Sequence, residues 1–261
     1  DETKVHELIR SIPDALNRHE MIADLKHHYL PPTEWSDNSI VIYCGNTPDM
    51  WGPEDMVTGI GGSEEATIHV SRELVKLGYD VTVYLNREDE IEDNGVHYKP
   101  FALFNRNDNF NILIGWRQNL AMHEINAKRH VMWIHDLPRD YMLRPEQITN
   151  LDVILVLSEY HKTLLPEHAR SKAVVSTNGI NPGDFTKPKV SQKGRMIYAS
   201  SYDRGLEAIV RNWDKIKAEV PEAELHVYYG WNTYDKYVQM GLVKSDFKDQ
   251  MLELFKQDGI H

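Results

Sequence analysis

The sequence has almost no cysteine, no long apolar run and no excess of positive charge. Its 261 residues include one cysteine, Cys44, which cannot form an internal disulfide and therefore favours a reducing compartment, the cytoplasm. The absence of any run of about 18 apolar residues predicts that the chain has no transmembrane segment. The formal net charge of -11 argues against nucleic acid or an anionic membrane as a partner.

The remaining pattern is that of an α/β protein with a short N-terminal extension. Helical periodicity over residues 5–30, interrupted at Pro13, predicts two short helices within an extension that covers residues 1–38. Nearly continuous apolar runs then alternate with helix-like segments, as in a parallel sheet that is covered on both faces. The expected strands are 39–44, 80–85, 110–115, 130–135, 152–158 and 173–177. We therefore predict a Rossmann-like first domain over residues 39–190.

A polar stretch rich in Lys, Pro and Ser, residues 181–194, is the best candidate for a connection between two domains. After it the alternation restarts, with the strands RMIYAS and ELHVYYG, a helix over 204–220 and another over 244–257. Two parallel strands do not form a stable sheet on their own. We expect an incomplete second Rossmann-like domain over residues 191–261, rather than an extension of the first sheet.

The segment between the first strand and its helix ends in Gly61-Gly62-Ser63. Glycine lets a ligand approach the backbone closely, and a helix N-terminus favours a phosphate or a sugar hydroxyl. Because Glu64 stands where the dinucleotide fingerprint has its third glycine, and no Gly-Lys-Ser/Thr follows, neither that fingerprint nor a P-loop is present. The alternative interpretation is a tight turn with Ser63 as the helix N-cap.

Two further candidates follow predicted strands of the first domain. His135 ends the strand 130–135, and ligands of open α/β sheets bind outside the carboxyl ends of the strands. Its alternative is a purely structural role. Asn178-Gly179 follows the strand 173–177, and Asn-Gly is a turn signal.

Ser201 and Arg204 lie in a polar loop between a strand and a helix of the predicted second domain. A cation near a helix N-terminus opposes the helix dipole unless an anion shares the site, and arginine is suited to bidentate contacts with phosphate. This pattern is compatible with a diphosphate at Arg204. The alternative is an exposed arginine that pairs with Asp203 or Glu207.

Other residues are given structural roles. Core packing is the expected use of the tryptophans Trp51, Trp116 and Trp231. The acidic run over residues 88–93 is interpreted as a solvated loop. His161 and His168 lack the spacing of metal ligands, and Cys44 has no neighbour that would activate it as a nucleophile.

Taken in order, the motifs Gly61-Gly62, His135-Asp136, Asn178-Gly179-Ile180-Asn181 and Arg204-Gly205 resemble those of the retaining, metal-independent family-4 glycosyltransferases. The resemblance covers roughly residues 39–230. It implies the GT-B fold, which has two Rossmann-like domains. Where that family has a Gly-Arg pair at the start of its second domain, this sequence has Ser200-Ser201. The family's pair of donor-binding glutamates lies later than His261, so the resemblance implies a donor site that this chain does not complete.

The resemblance also implies ligands and residue roles. The donor would be a nucleoside diphosphate sugar, the acceptor a carbohydrate or another hydroxyl compound, and no cofactor or metal would be needed. Arg204 would neutralise the leaving diphosphate, an electrostatic role, and His135 would contact a sugar hydroxyl. The donor would be bound by Gly61, Gly62, Ser63, Asn178, Gly179, Ser201 and Arg204. Two alternatives stay open: a non-catalytic module that binds a glycan or a partner protein, and a nucleotide-sugar epimerase of the same fold.

Overall fold

The structure, a computed structural model, describes residues 2–13, 16, 19–186 and 191–261. The chain divides into two compact units, Asp1–Ile180 and Asn181–His261, and each is described by itself. The predicted boundary between residues 190 and 191 falls on Val190, which lies outside the described residues.

The first unit opens with two helices, α1 (Glu2–Arg10) and α2 (Glu20–Tyr29), which confirms the pair predicted on either side of Pro13. An eight-stranded sheet follows, in the order β3-β4-β2-β1-β5-β6-β7-β8. Every neighbouring pair is parallel except β3 and β4, so the unit is a Rossmann-like α/β fold as predicted. The strands are β1 (Ser39–Tyr43), β2 (Asp80–Leu85), β3 (Ile91–Asp93), β4 (Val96–Pro100), β5 (Asn109–Trp116), β6 (Asn126–Trp133), β7 (Val153–Val156) and β8 (Ala173–Val175).

Helix α3 (Gly62–Lys76) covers one face of this sheet, and the shorter helices α4 (Glu159–Thr163) and α5 (Glu167–Arg170) follow β7. The fully buried Ile68 of α3 packs with Ile42 of β1 and Val83 of β2. Val41 of β1 points to the opposite face, where it packs in a second buried cluster. Burial on both faces explains why the central strands read as continuous apolar runs.

The hairpin of β3 and β4 was not predicted, and the interpretation of residues 88–93 as a solvated loop is wrong for Ile91–Asp93. The strands are joined by Asn94 and Gly95, which both have positive φ (50° and 78°), as two-residue hairpin turns require. Ile91 packs against the core, and this contact holds the acidic strand in place.

The second unit has its own two-stranded parallel sheet of β9 (Arg195–Ala199) and β10 (Glu224–Tyr228), so these strands do not extend the first sheet. Its helices are α6 (Leu206–Arg211), α7 (Trp213–Glu219), α8 (Asn232–Gln239) and α9 (Asp246–Leu254). The single helix predicted over 204–220 is broken at Asn212, whose side chain donates to the carbonyl of Ala208 at 2.9 Å. The helices pack on one face of the sheet around the buried residues Leu206, Val210, Trp213, Leu225 and Met251.

Across the described part of the chain, no helix combines the length and the apolar character that a bilayer crossing requires.

Candidate functional site

The carboxyl ends of seven parallel strands in the first unit lie at one edge of the sheet, called here the carboxyl edge. Helix α3 follows β1 and leads to the parallel strand β2, so its N-terminus lies at the same edge. Gly61 is the N-cap residue and Gly62 the first helical residue. Apart from the adjoining residues and the backbone of α3 itself, no described atom lies within 4 Å of the position that a Cβ of Gly62 would occupy, so a ligand has room to approach the backbone here.

The N-terminus of α3 has no side-chain cap. The alternative that made Ser63 the N-cap is wrong: the N-cap is Gly61, two residues earlier, and Ser63 Oγ instead donates to Glu64 Oε2 at 2.7 Å. The first N–H groups of a helix have no partner within the helix. These groups and the positive end of the helix dipole therefore remain available to an acceptor or an anion.

His135 lies two residues beyond the end of β6, at the carboxyl edge as predicted. Both of its ring nitrogens are buried, and neither has a hydrogen-bond partner in the part of the chain that the structure describes. Burial, supported by the charge of Arg117, lowers the pKa of His135 to about 4, against the opposing effect of Asp136. The ring is therefore neutral at pH 7 and presents one donor and one acceptor.

The rings of three buried tryptophans lie near His135: those of Trp133 and Trp116 are its neighbours, and that of Trp51 lies beside Trp116. The Trp133 ring is 4.5 Å from the ring of His135, Trp116 is 6.1 Å from it, and Trp51 is 5.9 Å from Trp116. Their side chains are only 2–4% exposed, so core packing is confirmed for Trp51 and Trp116. All three indole N–H groups are nevertheless buried and without a hydrogen-bond partner among the described residues.

Unpaired buried groups of this kind are uncommon, because each costs about 1–3 kcal/mol. Five orphaned nitrogens, three of them indole donors, occur in one aromatic cluster at the carboxyl ends of β5 and β6. Such a concentration indicates where a polar ligand or ordered water binds. We call His135 and the three indoles the orphan cluster.

Arg117 was missed by the sequence analysis. It directly follows β5, its guanidinium lies 5.0 Å from the centre of the Trp116 ring, and it forms an ion pair with Asp136. Its backbone is left-handed, with φ of 59°, which is uncommon outside glycine and often marks functional sites. The only sequence signal was a charged residue immediately after a buried strand.

The loop that carries His135 and Asp136 is held by His161. The Nδ1 atom of His161 accepts a hydrogen bond from the Leu157 N–H at 3.3 Å, so its Nε2 atom donates to the Asp136 carbonyl at 3.0 Å. The N–H of His161 in turn donates to Ser158, the N-cap of α4. His161 is thus a positioning residue that connects α4 to the turn after β6.

Asn178 and Gly179 follow β8 at the carboxyl edge, and both are exposed. The turn predicted for this pair is wrong: no turn forms there, and Gly179 does not have a positive φ. The pair therefore lies at the carboxyl edge, as His135 does, but no described residue of the first unit links the pair to His135.

In the second unit, Ser201 Oγ donates to Asp203, and Arg204 is exposed just before α6. The alternative that paired Arg204 with Asp203 or Glu207 is wrong. Glu207 instead accepts a hydrogen bond from Arg211 at 2.7 Å, and the Arg204 guanidinium has no partner among the described residues. Gly205 between Arg204 and the helix has φ of 96°, which glycine adopts readily. Arg204 is therefore free to bind an anion.

Two surface depressions of about 470 and 390 Å³ lie at the opposite edge of the first sheet, where β5 and β6 begin. Asn126, the first residue of β6, lines both. Open α/β sheets bind ligands at the carboxyl edge, and it is there that the orphan cluster lies. We therefore assign the candidate site to the orphan cluster and the N-terminus of α3.

The sequence matches no protein-family model, and no curated protein is significantly similar to it.

Proposed function

We propose that this chain is a retaining, metal-independent glycosyltransferase of the GT-B type, or part of one. It would transfer a sugar from a nucleoside diphosphate sugar to a hydroxyl acceptor. The observation that supports this proposal best is His135, which offers two buried and unpartnered ring nitrogens at the carboxyl edge of a parallel sheet.

A sugar fits the orphan cluster chemically. Each sugar hydroxyl both donates and accepts a hydrogen bond, as does a neutral imidazole, and indole N–H groups donate to hydroxyl oxygens. Because the pKa of His135 is lowered to about 4, the ring keeps its acceptor nitrogen at neutral pH.

Three features carry positive potential of the kind that a phosphate needs. In the first unit these are the uncapped N-terminus of α3 and Arg117, whose guanidinium stacks on Trp116. In the second unit it is Arg204, which has no partner among the described side chains. We propose that Arg204 stabilises the negative charge that develops on the leaving diphosphate.

The transfer itself breaks the bond between the anomeric carbon and the diphosphate oxygen. The acceptor oxygen forms its new bond to that carbon on the same face, and its proton passes to the departing phosphate. No protein nucleophile is needed, and Cys44 is not available as one because its burial raises the pKa of the thiol well above its usual value.

A donor screen tests this proposal. The chain is incubated with uridine and guanosine diphosphate sugars and a panel of sugar acceptors in EDTA, and release of nucleoside diphosphate is measured. We expect release that is abolished by Arg204→Ala and preserved by Arg211→Ala, because Arg211 of the same helix is paired with Glu207. Release that is insensitive to Arg204→Ala, or a chain that neither releases nor binds any nucleotide sugar in calorimetry, would contradict the proposal.

Identification of the products of this screen, together with a glycan-binding assay, separates the alternatives. An epimerase would convert the donor sugar without forming a glycosylated product. A non-catalytic module would bind a glycan equally well in the chain with Arg204→Ala.

A further inference from the structure

A cluster of metal-ligating side chains lies on β10 of the second unit, away from the carboxyl edge of that strand. Glu224 and His226 are two residues apart on β10 and so lie on one face of the sheet. Their face is opposite to the one on which Leu225 is buried among the helices. The segment that ends in His261 runs parallel to β10, with Ile260 opposite Leu225.

Backbone hydrogen bonds fix the position of His261. Its N–H donates to the carbonyl of Leu225 at 2.9 Å, and its carbonyl accepts from the N–H of Val227 at 2.8 Å. These bonds place His261 next to His226 on the same face, with the two rings 4.9 Å apart and inclined by 32°. The side chains of Glu224, His226 and His261 therefore meet on a strand framework rather than on a loop.

The spacing of the three donors suits one metal ion. The ligand atoms of the three residues all lie within 4.8 Å of one another, and Glu224 Oε2 is 3.5 Å from His226 Nε2. Ligand atoms of a tetrahedral zinc site are about 3.4 Å apart, given bond lengths near 2.1 Å. His261 is exposed and has room to close the remaining distance. His226 Nε2 is buried, and within the described part of the chain it makes no hydrogen bond beyond its 3.5 Å contact with Glu224 Oε2, a fellow ligand of the proposed site.

Arg195 of β9 also contributes to this cluster. Its guanidinium donates to Glu224 Oε2 from Nε at 3.2 Å and from Nη2 at 3.1 Å. Both Arg195 contacts go to Oε2, the oxygen that also lies 3.5 Å from His226 Nε2, so Oε1 remains for an ion, although the nearby positive charge of Arg195 will weaken the binding.

We propose that Glu224, His226 and His261 bind a divalent first-row transition metal ion, with Zn²⁺ as the best fit. Two imidazole nitrogens and one carboxylate oxygen form a donor set that zinc prefers, and it leaves a fourth position open. This site is independent of the proposed sugar transfer, which needs no metal.

Calorimetry on the untagged full chain, first freed of metal with EDTA, tests the site with ZnCl2 as the probe. We expect one ion bound per chain, and at least a tenfold loss of affinity in His226→Ala and in His261→Ala. Substitution of CoCl2 should give the intense visible absorption of a four-coordinate cobalt site, and both variants should lose it.

The matched control is His69→Ala. His69 and Glu65 on α3 also form a histidine–carboxylate pair, 3.6 Å apart, but no described residue supplies a third ligand beside them. Its affinity for Zn²⁺ should equal that of the parent chain. Far-UV circular dichroism checks that the variants remain folded. We expect His261→Ala to be folded, because it removes only an exposed ring. The proposal is overturned if the parent chain binds no Zn²⁺, or if the two site variants bind it as tightly as the control does.

Discussion

The two sheets of this protein differ most in how their faces are covered. Ile42, in the middle of β1, is 0% exposed, whereas Ile197, in the middle of β9, is 71% exposed. The first sheet has buried clusters on both faces, but the described helices of the second unit pack on only one face of its sheet. A strand of the same length and apolar character thus serves as core in one unit and as surface in the other.

This difference separates two kinds of chemistry. In the first unit, burial determines the state of the functional groups: it keeps His135 neutral and leaves the indole N–H groups without partners. In the second unit the candidate groups are exposed or half-buried, and in our proposals they would act through direct charge and coordination. Arg204 and the cluster around His226 are of this second kind.

The largest expected effect comes from making the same truncation in both sheets. Ile42→Ala should lower the free energy of unfolding by about 2–5 kcal/mol, because it opens a cavity in a packed core. Ile197→Ala should change it by less than about 0.5 kcal/mol, since the side chain is already in contact with solvent. Urea denaturation followed by circular dichroism measures both, and equal losses would contradict the contrast between the sheets.

A second prediction concerns pH and His135. The pKa of His135 is about 4 in the folded chain and near 6.5 in the unfolded chain, so between these values only the unfolded chain takes up the proton. Stability is therefore lost as the pH falls from 6.5 towards 4, by about 2 kcal/mol between pH 7 and pH 5.

The variant His135→Asn should lack this part of the pH dependence. Urea denaturation of both proteins at pH 7 and pH 5 gives the comparison, and other titrating groups affect both proteins alike. An identical pH dependence in the two proteins would show that the burial of His135 does not control its ionisation.

A smaller effect is expected at Arg117. Its ion pair with Asp136 is largely exposed, so Arg117→Ala should change the free energy of unfolding by less than about 1 kcal/mol. Removal of the positive charge should nevertheless raise the pKa of His135, because Arg117 is the second cause of its depression after burial. A titration followed by the NMR signal of the His135 ring measures this shift. A pKa that does not change would mean that burial acts alone.

The sequence predicted the buried strands well. The runs 39–44 and 80–85 correspond closely to β1 and β2, because strands that are buried on both faces must be apolar throughout. The same rule does not apply to a half-exposed edge strand such as the acidic β3. Its composition predicts a loop, although the Asn94-Gly95 pair that follows it is a strong hairpin signal.

The Asn-Gly signal succeeds at one position and fails at another for a physical reason. Asn94-Gly95 connects two antiparallel strands, whose hydrogen bonds hold the ends of the turn together. Asn178-Gly179 comes after β8, the last strand of the first sheet. Among the described residues, no antiparallel strand comes after the pair and bonds to β8 to close a turn. Local residue preference needs support from tertiary structure.

The position of His135 at a strand end was predictable from the sequence, but its surroundings were not. The contacts with Trp116 and Arg117 depend on β5 and β6 being neighbours in the strand order, which no local pattern specifies. The broken helix at Asn212 and the cluster of Glu224, His226 and His261 were likewise invisible, because each depends on packing or on pairing between distant segments.

The most direct test of the proposed site is calorimetry of the chain with UDP-glucose and with GDP-mannose in EDTA, repeated with His135→Ala and with the exposed control His97→Ala. The proposal predicts binding of one of these compounds without metal, a loss of about 10- to 100-fold in affinity for His135→Ala, and no change for His97→Ala. Binding that survives His135→Ala unchanged, or no binding of either compound, would contradict a sugar site at the carboxyl edge of the first sheet.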